Sequence, residues 1–429
     1  MVSMHPSSGC ALISVLFLGF ISSFRYDGFS VIDIVPQRFQ DVSKIRKFSK
    51  IFENDEISFQ FIRPPYRPNS NISVIVSPWA REKLLTLLNE ESISYITTIG
   101  NYQNLIDREF AENRQAIFQS LFRTGSSSDH IAYLRYQQIE EWIKEKVQGV
   151  NYAKFVKFGE TYENRKLFMV KLSKNDSLPI VWLDGGIHAR EWIATSSALF
   201  IIDKLLRNSS ETWEILSKYQ FYVVPLVNPD GYEYSHETHR LWRKNRSRFT
   251  FSKCIGVDMN RNFPFEWGGA SSSPNPCDDQ YRGPNAGSEK EIQSIISELT
   301  KYKDRIKLVV SLHAFGQYIL QPFGFSNEHY PLNYLDMTSV AISAAFDLQT
   351  KHDALYLVGR PPDILYPASG SSDDFVVGTL KIPFSFTVEL PDQGMHGFTL
   401  PPKYIKSVGS QLWDIIITLT SEIYRTALY

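Results

Sequence analysis

Pro179-Ile180-Val181-Trp182-Leu183-Asp184-Gly185-Gly186-Ile187-His188-Ala189-Arg190-Glu191 reads in two halves. The first is a short, apolar, strand-like run, Pro179 to Leu183. The second is a polar turn opened by two glycines. Three more runs of the first kind follow: Gln220 to Val227, Ile306 to Leu312 and Ile382 to Leu390. Near-continuous apolar strands of this length are buried on both faces, as in parallel sheets. Long helical stripes separate them. Ala198, Ile201, Ile202, Leu205 and Leu206 form one, and Ile405, Val408, Leu412, Ile415 and Leu419 form another in the last helix. The expected fold is α/β, with a mixed, mostly parallel, twisted central sheet and helices on both faces.

The 429 residues exceed one average core and suggest two folded units. The smaller precedes the α/β unit. Phe29 to Ile34 reads as a strand and is followed by a charged, helix-like stretch. Ile57 to Phe61 and Ile72 to Val76 read as further strands. Ser77-Pro78 then caps and opens an amphipathic helix carrying Leu84, Leu85, Leu87 and Leu88, and Tyr95 to Ile99 closes as a strand. The order βαββαβ is that of a small α+β, ferredoxin-like sandwich. A charged helical connector from Gln103 to Phe122 runs into Arg123-Thr124-Gly125 and a serine cluster. This basic, polar stretch suits a trypsin-like protease, with Arg114 as a second candidate.

Net charge is −1, so no global field favours nucleic acid or an anionic membrane. The apolar run Ala11 to Phe20, followed by Ser22 and Ser23, matches a signal peptide and is too short for a permanent membrane span. The competing reading is a buried element at a true N-terminus. Cys10 would leave with the signal, and Cys254 and Cys277 remain. They are either one disulfide formed in an oxidising compartment or two buried thiols. Sequons at Asn71, Asn175, Asn208 and Asn245 fit export.

Imidazole nitrogen and carboxylate oxygen both bind zinc well, and the two-residue gap lets His188 and Glu191 turn toward one point. Such a pair is also common on ordinary surfaces. His313, ending the strand Leu308 to Leu312 at the same sheet edge, adds a third ligand. Two His and one Glu leave a position open for water, a catalytic arrangement. Glu389 lies in the apolar strand Phe386-Thr387-Val388-Glu389-Leu390. A carboxylate there is costly without a partner or a task; it is either structural or a general base. The runs Arg240 to Lys244 and Asp258 to Asn262 read as a solvated face, or as guanidinium groups that grip a terminal carboxylate.

Taken together, the motifs resemble the metallocarboxypeptidases of the pancreatic A/B type. The resemblance is carried by Gly-Ile-His188-Ala-Arg-Glu191, Arg-Leu-Trp-Arg243-Lys, Gly-Val-Asp258-Met-Asn260-Arg261-Asn, Ser-Leu-His313, Tyr366-Pro-Ala-Ser-Gly and Phe-Thr-Val-Glu389-Leu. It implies one zinc ion on His188, Glu191 and His313, and Glu389 as general base. Arg243 would stabilise the oxyanion. Asn260 and Arg261 would hold the substrate carboxylate, with Tyr366 closing over it. Arg190 would contact the peptide upstream, Phe398 would form an apolar wall, and Asp258 would accept the second N–H of His188. Cys254 and Cys277 match the family's disulfide.

The resemblance also implies a division into a signal peptide (1–24), an inhibitory propeptide domain (25–102), a helical connector cut after Arg123 (103–123) and a catalytic domain (124–429). Asp373, seven residues after Tyr366, stands at the family's pocket-base position. A carboxylate there accompanies release of Lys or Arg, and an apolar residue accompanies A-type preference for aromatic and aliphatic ends. Four departures concern selectivity: Ala314 and Phe315 replace Ser-Tyr, Pro391 replaces Arg, and Arg360 could shift the pocket's electrostatics. The expected protein is a secreted, extracellular, monomeric zymogen acting on peptide and protein C-termini, with an activating protease as partner and neither nucleic acid nor membrane. A catalytically inactive binding relative is disfavoured because every ligand and the base are present. A zinc deacylase is disfavoured by Asn260 and Arg261.

Overall fold

The computed structural model describes residues 24–52, 55, 57–121 and 132–426. The expected signal segment, apart from Phe24, and the cut site at Arg123 lie outside the described residues. Phe24 stacks on His239 with ring centroids 4.3 Å apart.

Strands β1 (Ser30–Ile34), β2 (Phe59–Arg63), β3 (Ile72–Val76) and β4 (Tyr95–Ile99) form an antiparallel sheet in the order β2-β3-β1-β4. Helices Phe39–Ser49 and Pro78–Glu90 complete the expected βαββαβ order. The second helix starts as the sequence indicates. Ser77 Oγ accepts from the Ala80 amide and Pro78 takes the first helical position, where its missing N–H costs nothing. Strand alternation serves two cores. Ile32, Ile34, Val74 and Val76 pack with Leu84 and Leu88 of the small unit. Val31, Ile75 and Ile99 point the other way, into the main core. Burial on both faces explains why β3 reads apolar throughout.

The large sheet comprises β5 (Ala153–Glu160), β6 (Lys166–Leu172), β7 (Ile180–Gly185), β8 (Gln220–Val224), β9 (Ile306–Ala314), β10 (Tyr318–Leu320), β11 (Leu357–Gly359) and β12 (Phe384–Leu390). Its order is β11-β10-β12-β9-β7-β8-β6-β5. The central strands β12, β9, β7 and β8 run parallel. Antiparallel pairings flank them, β10 with β12 on one side and β6 with β8 and β5 on the other. Alternate residues of β7 enter different cores. Val181 and Leu183 meet the helices Trp192–Leu206 and Ile405–Thr426, whereas Ile180 and Trp182 meet Lys290–Tyr302 and Ser372–Gly378. Helices therefore cover both faces, as expected for an α/β sheet. The sequence reading did not find β5, β6, β10 or β11.

Cys254 and Cys277 are joined, with Cα atoms 5.1 Å apart. The sequon at Asn245 is not a surface site. Asn245 is fully buried; its Nδ2 donates to Glu289 and its Oδ1 accepts from the Val257 amide. A glycan there is incompatible with the fold.

Gly409 lies in the last helix where it crosses Trp192–Leu206, and an added Cβ would collide with the buried ring of Phe200. Alanine would gain about 1 kcal/mol in helix propensity, but overpacking costs about 1–3 kcal/mol. The clash falls on ring carbons of a buried side chain, so Gly409→Ala is expected to lower stability by up to about 2 kcal/mol, read as a lower urea midpoint.

Candidate active site

Parallel pairing sets the site. The register places Glu389 of β12 directly beside His313 of β9, and Ser311 beside both Asp184 of β7 and Thr387 of β12. Beyond β7 the chain turns at Gly186, whose φ of +68° and tight approach to Thr195 and Leu226 admit no side chain. The turn brings His188 back over the sheet edge. Glu191 stands at the N-cap of helix Trp192–Leu206.

His188 Nδ1 and His313 Nδ1 face each other at 3.1 Å, and Glu191 lies 2.8 Å from the first and 3.3 Å from the second. The ligand atoms all fall within 4.8 Å of one another, and all three residues are buried. Asp258 defines the tautomer of His188. Burial alone would raise the Asp258 carboxyl, but Arg243, Arg261 and His188 hold it well below the usual range. A carboxylate only accepts, so His188 Nε2 donates to Asp258 Oδ1 at 3.2 Å and Nδ1 keeps its lone pair. Burial and the Arg243 charge push His188 down, keeping its ring neutral. Lone pairs and a carboxylate converging on one point repel unless a cation lies between them. Against burial, Glu191 and Glu389 draw the His313 ring upward, so the pocket attracts positive charge. These donors fit zinc, two imidazoles and one carboxylate with a position left open.

Around the triad lies a cleft of about 830 Å³. Its walls include Arg190, Arg243, Asn260, Arg261, Tyr366, Asp373, Glu389 and Phe398, so every expected site residue except the supporting Asp258 lines one space with the triad. Glu389 opens onto the cleft but is screened from bulk water. Desolvation pushes its carboxyl up and Glu191 adds to this, against His313 and Arg243. Arg243 donates Nε to Asp258 Oδ2 at 2.9 Å, which aims its guanidinium. Asn260 Oδ1 accepts from the Ser372 amide, and Arg261 donates Nε to Ser271 O and Nη1 to Asn260 O. These bonds occupy the backs of both side chains and leave Asn260 Nδ2 and Arg261 Nη2 without a partner among the described residues.

Arg190 is more constrained than the sequence suggested. It donates to Asp279 at 2.9 Å and to Leu241 O, and its guanidinium lies 4.2 Å over the Phe398 ring. Asp373 is buried; it accepts from the Asp374 amide at 3.0 Å and from Thr387 Oγ1 at 3.3 Å, and it pairs with no cation among the described residues. Arg360 corrects an expectation. It is fully buried away from the cleft, bound to Asp363 and to the carbonyls of Ser326, Asn327 and His329. It organises a loop and does not line the cleft.

This combination of a buried two-histidine, one-carboxylate triad, a flanking carboxylate and free N–H donors on an α/β sheet is that of a zinc hydrolase. Residues 139–415 match the zinc carboxypeptidase family, and residues 32–109 match the carboxypeptidase activation peptide. Carboxypeptidase A2 of Mus musculus is 31% identical over 390 residues, covering 90% of this chain and 91% of the relative. Carboxypeptidase B of Astacus astacus is 35% identical over 289 residues, covering 67% and 95%. The crystal structure of thrombin activatable fibrinolysis inhibitor superposes with a TM-score of 0.83 at 26% identity, covering 94% of this chain and 100% of that one. Carboxypeptidase A from Helicoverpa armigera gives 0.83 at 25% identity, covering 94% and 99%. The chain belongs to the zinc carboxypeptidase family. It is a zinc metallocarboxypeptidase carrying its activation segment, and hence a zymogen.

What the front unit places in the cleft was not legible from the sequence alone. Ile62 and Arg63, at the end of β2, line it. The Arg63 side chain makes no hydrogen bond or ion pair among the described residues, yet its charge acts on Glu389. Docking across some three hundred residues of chain leaves no local signature. Replacing Arg63 with alanine is expected to raise the basal hydrolysis of a small substrate by the uncut precursor several-fold, and to change nothing once the front unit is removed. Initial rates before and after activation check this.

Proposed function

We propose that this protein is a secreted B-type carboxypeptidase that hydrolyses the last peptide bond of peptides and proteins and releases Lys or Arg, after a trypsin-like protease has cut the connector behind Arg123. The observation that carries the specificity is Asp373, a buried carboxylate on the cleft wall with hydrogen-bond donors but no cation among the described residues. A cationic side chain completes such a site, whereas an apolar one leaves the charge unpaired. Relatives named carboxypeptidase A and carboxypeptidase B are about equally similar, so the family alone does not choose between them.

His188, Glu191 and His313 would hold the zinc ion, which would supply a Lewis acid for the scissile carbonyl and for water beside it. Glu389 takes the proton of the attacking water and returns it to the leaving amine; its raised carboxyl suits both transfers. Arg243, oriented by Asp258, donates to the carbonyl oxygen as charge develops. Asn260 Nδ2 and Arg261 Nη2 donate to the terminal carboxylate. Tyr366 closes over it, and Arg190 and Phe398 bound the upstream side.

Export is supported by the run Ala11 to Phe20 and by the disulfide. No helix among the described residues is long and apolar enough to cross a membrane. Cutting after Arg123, rather than Arg114, is supported by the latter's place inside helix Tyr102–Leu121, where the backbone is held in its own hydrogen bonds.

The test uses precursor activated with trypsin and peptides differing only in the last residue, Arg, Lys, Phe or Leu, followed by mass spectrometry. Chelator-sensitive loss of Arg and Lys is expected. Asp373→Asn should lower kcat/KM for the Arg-ended peptide about a hundredfold or more and leave the Phe-ended peptide little changed. Cleavage of the Phe-ended peptide as fast as the Arg-ended one by the unaltered enzyme would replace this reading with A-type specificity.

A further inference from the structure

We propose that Asp184, acting through Ser311, is the positioning group for the zinc ligand His313. The two imidazoles of the triad stand on unequal footing. His188 is backed directly by Asp258. His313 has no carboxylate on its outer nitrogen; its Nε2 faces Ser311 Oγ at 3.4 Å, and no other described residue bonds that nitrogen. The contact is long for a hydrogen bond. Its meaning comes from what lies behind it.

Ser311 Oγ lies 2.7 Å from Asp184 Oδ1, and Trp182 Nε1 donates to Asp184 Oδ2 at 2.8 Å. Indole is only a donor, and a hydroxyl carries one hydrogen. With both Asp184 oxygens accepting, the Ser311 hydrogen points to Asp184 and the hydroxyl's lone pairs remain for His313. This polarity puts the imidazole hydrogen on Nε2 and leaves the Nδ1 lone pair facing the triad, the form a metal requires. The opposite polarity would place the hydrogen on Nδ1 and close the site to zinc. The arrangement is built into the sheet. Ser311 and His313 are two apart on β9 and share a face, and Asp184 is Ser311's neighbour on β7. Asp184 is buried and pairs with no cation among the described residues, so ion pairing does not account for it. Each zinc-binding imidazole is thus backed by a buried carboxylate, one directly and one through a hydroxyl.

The proposal rests on the zinc reading, and its test measures zinc rather than catalysis. Metal is removed from the full-length precursor, and zinc affinity is measured by competition with a chromogenic chelator for the unaltered protein and for Ser311→Ala, Ser311→Thr and Asp184→Asn. Urea unfolding of the metal-free forms is measured alongside. Ser311→Ala is expected to weaken zinc binding about 10–100-fold. Ser311→Thr, which keeps the hydroxyl, should restore it. Asp184→Asn should weaken it similarly, because its amide cannot accept from Trp182 and Ser311 together. The metal-free alanine variant should still unfold cooperatively, at a midpoint lowered only by the loss of one hydrogen bond to a buried carboxylate. Unchanged zinc affinity in Ser311→Ala, or in Asp184→Asn should the alanine variant not fold, would overturn the relay and leave Asp184 a satisfied polar group of the core. An unaltered protein that binds no zinc would overturn the metal reading itself.

Discussion

The parallel register of β7, β9 and β12 is the constraint on which the site depends. It sets Asp184 beside Ser311 and His313 beside Glu389, so one sheet face presents a ligand, its support and a carboxylate in fixed order. A slip of one residue on β9 would turn Ser311 and His313 to the opposite face, and the triad would lose a member. Two cores lock that register. β7 feeds alternate side chains to helices on either side, so a slip would also exchange the residues fitted to each core. Packing and chemistry therefore fix the same pairing.

Charge arrangement follows from this geometry. The cleft holds several buried ionisable groups close together, and an unpaired charge in such surroundings is costly. Asp258 meets that constraint by serving His188 and Arg243 and by accepting from the Asn260 amide. One carboxylate thereby ties together the metal ligand, a cleft guanidinium and the turn bearing Asn260 and Arg261. Arg190 and Asp279 form a closed pair at the rim. Among the described residues, Glu389 and Asp373 are the carboxylates on the cleft wall without such closure.

Much of this was legible in the sequence because the signals were local. Apolar runs marked the strands that are buried on both faces, and a serine and a proline marked the helix at Pro78. His188, Glu191, His313 and Glu389 were legible because each follows or sits in such a run. The weaker strands were not found. β10 and β11 have three residues each, too few for a period, and β5 and β6 lie at the sheet's margin, where charged residues interrupt the pattern. Asn245 shows the converse: a three-residue sequon carries no information about burial. Ser311 could have been noticed, since a strand's period of two places it beneath His313. Its link to Asp184 needed the sheet order. Arg360 was misread because a charge near a pocket in sequence need not face it.

The segment that matches the activation peptide bears on the cleft from two directions. β2 brings Ile62 and Arg63 into it. The helix Tyr102–Leu121 acts from behind the wall. Glu109 pairs with Arg240 at 2.5 Å, both fully buried, and Arg240 donates onward to the carbonyls of Arg190 and Phe398. The Tyr102 hydroxyl accepts from the Phe398 amide at 3.1 Å. Phe398 and Arg190 stack on one another in the cleft, so the helix holds the backbone of both walls. Burial raises the Glu109 carboxyl and Arg240 opposes it, the mark of a pair whose members depend on each other inside the protein. Taking Glu109 away would leave Arg240 with carbonyl acceptors but no counter-charge, a condition that costs several kcal/mol in a dry interior. Lining the cleft and shaping its wall are thus both carried by residues that match the activation peptide, and the precursor's cleft is in part the work of that segment.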